Sequence, residues 1–294
     1  MATKVLRFAL FGKEFQSGNA GFIHQLIEGL NAHGGEIYVE RTFYQYITSV
    51  LDLTVGISGV FDNYNFDVDF VISVGGDGTF LRAAGMVGAK GTPVIGVNTG
   101  RLGFLADILP ADFPMALQEI VAGNYEIEAH AVIMVEADGE LIEGTPYALN
   151  EIAVLKRDNA AMISVRTCIN GEYLTTYQAD GLIVSTPTGS TAYSLSNGGP
   201  IIVPNAGILC LTPVAPHSLN IRPIVINDDS KITLEVESRS HNFLVAIDGR
   251  SEKLLESTQL TISKAPYTIN MVKRGGRRYF STLREKTMWG ADQR

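Results

Sequence analysis

The run Val68-Asp-Phe-Val-Ile-Ser-Val74 leads straight into Gly75-Gly-Asp-Gly78, and Thr79-Phe-Leu-Arg-Ala-Ala-Gly-Met-Val follows with helical spacing. An apolar run of this kind, closed by glycines and succeeded by a helix, marks a strand buried on both faces of a parallel sheet. The glycines open backbone N–H groups to a ligand. The helix, expected to begin near Thr79, turns its positive end to the same place, which makes a phosphate seat. Asp77 stands in that turn either as the helix cap or as a group able to accept a proton from a hydroxyl.

Residues 1–125 continue the alternation. VLRFALFG reads as a strand, and NAGFIHQLIEGLNAHGG as an amphipathic helix through Phe22, Leu26 and Leu30. EIYVERTFY and TPVIGVN (92–98) read as further strands, while the stretch from Ile47 to Asn65 fits neither template. The alternation predicts an α/β domain, a parallel sheet covered by helices. From about Tyr125 the pattern becomes strand after strand, in EIEAHAVIMVEAD, ALNEIAVLK, MISVRTCINGEYLTTY, GLIVST, SKITLEVES, HNFLVAIDG and QLTISKA. Asn170-Gly171 and Asp248-Gly249 have hairpin chemistry. An antiparallel, sandwich-like β domain is expected over 126–265. The 266–294 segment ends in the helical YFSTLREKTMWG and is expected to return to the first domain; a length of 294 residues suits two domains.

Composition narrows the function. Apolar residues make up 46% of the chain and charged ones 18%, as in a packed soluble protein. No run reaches the length of a spanning helix, so no membrane role is expected. MATKVLRFALFGKEF breaks at Gly12-Lys13-Glu14 without a small-residue cleavage site, which favours a strand over a signal peptide. Cys168 and Cys210 lie in separate segments and build neither a disulfide framework nor a zinc knuckle, which suits the cytoplasm. The net charge of −8 opposes general nucleic-acid binding, and Lys273-Arg274-Gly-Gly-Arg277-Arg278 reads as a solvated turn.

Common nucleotide motifs do not account for the glycines. A Rossmann fingerprint from Gly76 needs glycine where Leu81 stands, and Gly12-Lys13 lacks P-loop spacing. A second glycine-rich turn, Asn98-Thr-Gly-Arg-Leu-Gly-Phe104, opens at the same carboxyl edge of the sheet; its Arg101 is a surface residue or a phosphate contact. The densest signal is Asp180-Gly-Leu-Ile-Val-Ser-Thr-Pro-Thr-Gly-Ser-Thr-Ala-Tyr-Ser-Leu-Ser-Asn-Gly-Gly-Pro200. Hydroxyls at that density in a long loop suit a polar ligand, and Tyr193 offers a stacking face. Asn150-Glu151 open an apolar strand; such neighbours face opposite sides unless they lie at its end. His24, His33, His130, His217 and His241 have no ligand spacing, so no protein-bound metal is expected. His217 sits in a Pro-bounded loop, as a structural residue or near phosphate. Ser190 lacks the nucleophile-elbow glycines.

GGDGTF (75–80), NTGRLGFL (98–105), NE (150–151), DGLIVSTPTGSTAYSLSNGGPI (180–201) and APHSL (215–219) together resemble the NAD kinase family, in its order and over most of the chain. The resemblance implies transfer of the ATP γ-phosphate, with Mg²⁺, to the 2′-hydroxyl of the adenosine ribose of NAD, giving NADP. It implies Asp77 as proton acceptor and Gly78 beside the dinucleotide. It places Asn150, Glu151, Asp180, Thr191, Ala192, Tyr193, Ser194, Leu195 and Ser196 in the NAD site, joined by Arg82, Thr188, Ala215 and Arg250. It also implies a homodimer or homotetramer. Gln178 stands where many bacterial members carry arginine; it can donate a hydrogen bond but cannot neutralise phosphate. A lipid kinase of the diacylglycerol type shares GGDG, but Asn150-Glu151 and TPTGSTAY count against it, as does the lack of a basic amphipathic helix. A non-catalytic dinucleotide sensor would have no need of Asp77.

Overall fold

The computed structural model describes residues 4–13, 20–100, 103–157, 161–274 and 279–290. The chain divides into one unit of Met1–Ala129 with Ile269–Arg294 and a second of His130–Thr268.

In the first unit the elements are β1 (Arg7–Gly12), α1 (Ala20–Ala32), β2 (Glu36–Glu40), α2 (Arg41–Gln45), β3 (Gly59–Phe61), β4 (Phe70–Gly75), α3 (Asp77–Val87), β5 (Val94–Asn98) and α4 (Phe113–Val121). The strands run parallel in the order β5-β4-β1-β2-β3. Every residue of β4 and β5 is buried, as their unbroken apolar runs require. Leu10, Ile37, Ile72 and Ile95 anchor the core. On α1 the buried face is Ile23, Leu26, Ile27 and Leu30; Phe22 is only half-buried and meets the Phe113 ring edge-on, with centroids 6.0 Å apart.

Two expectations shift here. EIYVERTFY breaks at Glu40, whose carboxylate accepts from Phe43 N at 3.1 Å and so caps α2. The ambiguous 47–65 stretch holds part of a π-helical turn, Tyr46–Val50, and the short β3.

The second unit follows β6 (Tyr125–Ala137), in which the chain enters it. It continues with β7 (Tyr147–Ala148), β8 (Glu151–Lys156), β9 (Ile163–Ile169), β10 (Glu172–Ala179), β11 (Gly181–Ser185), α5 (Tyr193–Ser196), β12 (Ile208–Val214) and β13 (Ile224–Asn227). Then come β14 (Ile232–Glu237), β15 (Asn242–Ile247), β16 (Arg250–Leu255) and β17 (Leu260–Arg274), in which the chain leaves. The order β13-β12-β11-β8-β15-β16 forms an antiparallel sheet, and β10-β9-β14-β17 pair antiparallel beside one another. Val154, Leu182 and Val245 of the first set share one core with Val165, Leu234 and Ile262 of the other. The α/β and antiparallel β architectures are those expected. The hairpin turn Asn170-Gly171 takes φ of 52° and 83°, the left-handed region for which its residues are suited. The final helix, α6 (Tyr279–Thr287), belongs to the first unit. Among the described residues no helix is long and apolar enough to cross a membrane.

Candidate functional site

The glycine turn after β4 does not use Asp77 as a cap. The N-cap of α3 is Gly76, with no side-chain bond, and the helix starts at Asp77, earlier than expected. The Asp77 carboxylate instead reaches the second glycine-rich turn. Oδ2 accepts from Phe104 N at 2.9 Å, and Oδ1 accepts from Leu105 N and Ala106 N, each at 3.1 Å. Gly103 makes this possible, because a Cβ there would collide with Oδ1. Asn98, at the end of β5, steadies the turn: its Nδ2 donates to Ala106 O at 3.1 Å and its Oδ1 accepts from Gly100 N at 2.8 Å. Lys286 of α6 places its Nζ 3.4 Å from Asp77 Oδ2 and 4.0 Å from the centroid of the Phe104 ring. Arg101 and Arg277-Arg278 lie outside the described residues.

A cavity of about 570 Å³ opens beside this turn, lined by Gly12, Lys13, Thr42, Phe43, Gly76, Gly78, Thr79 and Arg82. Arg82 is oriented from both sides: Nη1 donates to Glu40 Oε1 at 3.2 Å, and Nη2 donates to the carbonyl of Gly12. Two cations and the N-terminal turn of a helix face one space, the arrangement an anionic group requires. Within the first unit Gly78 and Arg82 thus line one cavity, with Asp77 in the same helical turn as Gly78 but turned to the 104–106 amides.

In the second unit the start of β8 is held by Asp248. Its Oδ2 accepts from Leu149 N at 2.7 Å, and its Oδ1 from Asn150 N and Glu151 N at 2.9 and 3.1 Å. Asp248 sits at φ 47° in the turn to Gly249. Asn150 and Glu151 are therefore at a strand end, where both side chains can serve one site. Asn150 Oδ1, Glu151 Oε2 and Ser185 Oγ are buried without a hydrogen-bond partner, and such groups call for a polar ligand. Burial, with the negative charge of Asp248 beside it, pushes the Glu151 carboxyl up to about 7, against an opposing hydrogen bond from the Tyr193 backbone. Burial raises Asp248 as well, against its three amide donors.

The hydroxyl-rich loop is stitched to this strand end. Thr186 Oγ1 donates to Leu149 O at 2.6 Å and accepts from Gly189 N at 3.1 Å. Gly189 packs so closely on the Asn150 backbone that no Cβ would fit. Several of the hydroxyls tie the loop to itself or to neighbouring strands. Ser190 bonds Pro187 O and Ile202 O, Ser194 pairs with Thr212 at 2.9 Å, and Thr188 pairs with His130 Nδ1 at 2.8 Å. Tyr193 and Ser196 are exposed, whereas Thr191, Ala192 and Leu195 are half-buried. Asp180 is engaged with Lys156 at 2.7 Å. Ala215 is exposed at φ 43°. Arg250 donates to the carbonyls of Glu143 and Thr145. Gln178 donates to Ser164 Oγ at 2.7 Å, and the backbone N–H of His217 donates to Gln178 O at 2.8 Å.

Sequence reasoning passed over Asp248, Gly103 and Lys286. Asp248-Gly249 carried a turn signal that hid an anchoring role, and nothing in the spacing links residue 286 to residue 77. Among the described residues no three His, Cys, Asp or Glu side chains converge to hold a metal ion.

Comparisons with known proteins identify the family. The family model for the ATP-NAD kinase N-terminal domain matches residues 37–125, and that for the C-terminal domain matches 149–274. NAD kinase of Bacteroides fragilis is 56% identical over 289 residues, covering 98% of this chain and 100% of its own length. NAD kinase of Porphyromonas gingivalis is 45% identical over 97% of this chain and 98% of its own. Yeast NADH kinase, solved with NADH, superposes with a TM-score of 0.88 over 100% of this chain and 90% of its own; at 22% identity it supports the fold alone. An NAD kinase from Archaeoglobus fulgidus, solved with ATP, has a TM-score of 0.73 and 29% identity over 96% of this chain and 99% of its own. Two domain models in the right order, and relatives alike from end to end, make this chain a member of the NAD kinase family.

Proposed function

We propose that the protein transfers the γ-phosphoryl group of ATP to the 2′-hydroxyl of the adenosine ribose of NAD, giving NADP, with Asp77 accepting the hydroxyl proton. The observation that carries this reading is the fixed carboxylate of Asp77 between Gly76 and Gly78, two residues that line a cavity with Lys13 and Arg82. Phosphoryl transfer depends mainly on positioning and on stabilising charge. The amides of the α3 turn and the two cations would take the phosphate oxygens, while Asp77 orients the hydroxyl and receives its proton as the new bond forms.

The second-unit residues supply recognition. Asn150 and Glu151 offer buried acceptor atoms with no partner, suited to ribose hydroxyls. The Thr191–Ser196 segment lies against them, with Tyr193 as a stacking surface, and Asp180, Thr188, Ala215 and Arg250 complete the set. A neutral Glu151 near pH 7 can donate as well as accept. The divalent ion, Mg²⁺ by the family's habit, would arrive on the ATP phosphates and neutralise their charge, as this ion commonly does. The cytoplasm is the proposed compartment. The assembly is a homodimer or homotetramer, which light scattering at micromolar concentration would overturn by finding an active monomer.

The test is direct. Purified protein with ATP, Mg²⁺ and NAD is expected to form NADP, detected with an NADP-specific dehydrogenase. Parallel arms with adenosine or diacylglycerol are expected to yield no product. Lipid turnover equal to that with NAD would defeat the proposal.

A further inference from the structure

A carboxylate has about four acceptor positions, and Asp77 uses all four. Oδ1 takes the amides of Leu105 and Ala106, and Oδ2 takes the amide of Phe104 and the ammonium of Lys286. These donors differ in kind. The three amides belong to consecutive residues of one turn and cannot leave separately. Lys286 comes from a helix 209 residues away in sequence, on a flexible four-carbon stem. Its helix is seated by the buried Leu283, and Thr287 Oγ1 bonds back to Leu283 O at 2.7 Å. In the same position the ammonium lies over the face of Phe104, 4.0 Å from the ring centroid, a contact of the kind an ammonium can keep when an ion pair opens.

We infer that Lys286 occupies the place on Asp77 Oδ2 that the acceptor hydroxyl must take, and that the displaced ammonium then stabilises the phosphoryl group in transfer. This rests on the reading of Asp77 as proton acceptor. In the step, the hydroxyl oxygen forms its bond to phosphorus as the bond from phosphorus to the leaving ADP oxygen breaks. The hydroxyl proton passes to Oδ2, and Lys286 keeps its three protons throughout. Lys286 is thereby both a placeholder in the free protein and a catalytic residue during transfer.

The two roles have opposite signatures. Lys286→Met keeps the stem against Phe104 and removes the charge. NAD alone, measured by calorimetry, is expected to bind about threefold tighter, because an ion pair of the usual strength no longer has to open. Turnover is expected to fall about 10²-fold, the usual loss when one preorganised charge-stabilising group is removed. Lys286→Gln is expected to repeat both changes, and Lys286→Arg to keep kcat within about tenfold of the parent. Damage to α6 alone would instead weaken binding and lower the thermal midpoint. A Lys286→Met protein that binds NAD no more tightly, or whose kcat lies less than about tenfold below the parent, overturns the inference. Asp77→Asn in the same assays separates the two claims. If it turns over like the parent, the reading of Asp77 fails; if it loses turnover while Lys286→Met does not, only the role of Lys286 fails.

Discussion

Asp77 in the first unit and Asp248 in the second are each gripped by three consecutive backbone amides of another segment, 104–106 in one case and 149–151 in the other. In both, one oxygen takes two amides and its twin takes one. The surroundings then diverge. Asp77 fills its last acceptor position with the lysine of a distant helix, and its flanking glycines line a cavity. Asp248 is buried beside a second carboxyl, Glu151, which it pushes further toward the neutral form. In the first unit a loop holds a carboxylate still; in the second a carboxylate holds a loop still. On the proposed function, the same hydrogen-bond pattern serves chemistry in the first unit and recognition in the second.

The sharpest way to break this comparison is to neutralise each carboxylate. Asp77→Asn is expected to lower kcat by roughly 10²–10⁴-fold, the range for one positioned acid–base group. NAD affinity by calorimetry should change far less, the mark of an interaction made in the transition state. Turnover like the parent's in the folded variant would leave Asp77 a structural anchor like Asp248. Gly103→Ala comes next, since its Cβ would collide with Asp77 Oδ1. A carboxylate displaced by about an ångström is expected to cost on the order of 10² in kcat with the fold intact. Steady-state rates unchanged by that methyl group would count against the three-amide seat.

Asp248→Asn is expected to act on stability first. An amide cannot accept all three N–H groups, so one buried donor is orphaned, at about 1–3 kcal/mol in urea unfolding. KM for NAD should rise while KM for ATP holds. A variant with unchanged stability and unchanged KM for NAD would refute the anchoring role. The smallest effect is that of Glu151→Gln, and it depends on pH. The folded protein raises this carboxyl from 4.5 to about 7, so it favours the protonated form. Its contribution to stability is complete below about pH 4.5 and declines as pH rises to about 7. The permanently neutral glutamine is therefore expected to raise the thermal midpoint by a few degrees at pH 8 and hardly at all at pH 5. Equal shifts at the two pH values would contradict the origin assigned here.

Legibility in the sequence followed the range of the interactions. β4 and β5 were readable because an unbroken apolar run has one good environment, and the Asn170-Gly171 hairpin because its backbone angles suit few other residues. β12 and β16 were not: Pro213 interrupts one, and Arg-Ser-Glu-Lys opens the other with exposed charge. α1 was placed correctly, but its buried face runs through Ile23 and Ile27 where Phe22 had been expected. At the candidate site, the glycine turn and the hydroxyl loop stood out by local chemistry, whereas Asn150-Glu151 alone read as a strand-end turn and entered through the family resemblance. The partners of Asp77 did not stand out, because amides carry no sequence signal and Lys286 meets Asp77 only through the tertiary fold. The pairings of Ser190 with its own loop, of Ser194 with Thr212 and of Thr188 with His130 were equally hidden, since sequence does not show which group a hydroxyl bonds.

The ion pair between Lys286 and Asp77 also sets an order of events during synthesis. The second unit is one uninterrupted run, His130–Thr268, whereas the first needs Ile269–Arg294 as well as Met1–Ala129. Within the first unit, Met271 pairs with Val94 at the edge of the parallel sheet. Domains fold as units while the ribosome works at about 5–20 residues per second, so the second unit has all its strands before the first has its closing one. Asp77, made early, waits for a lysine made more than two hundred residues later. A chain stopped between residues 268 and 286 would carry the whole of the second unit and a first unit still without the lysine that meets Asp77.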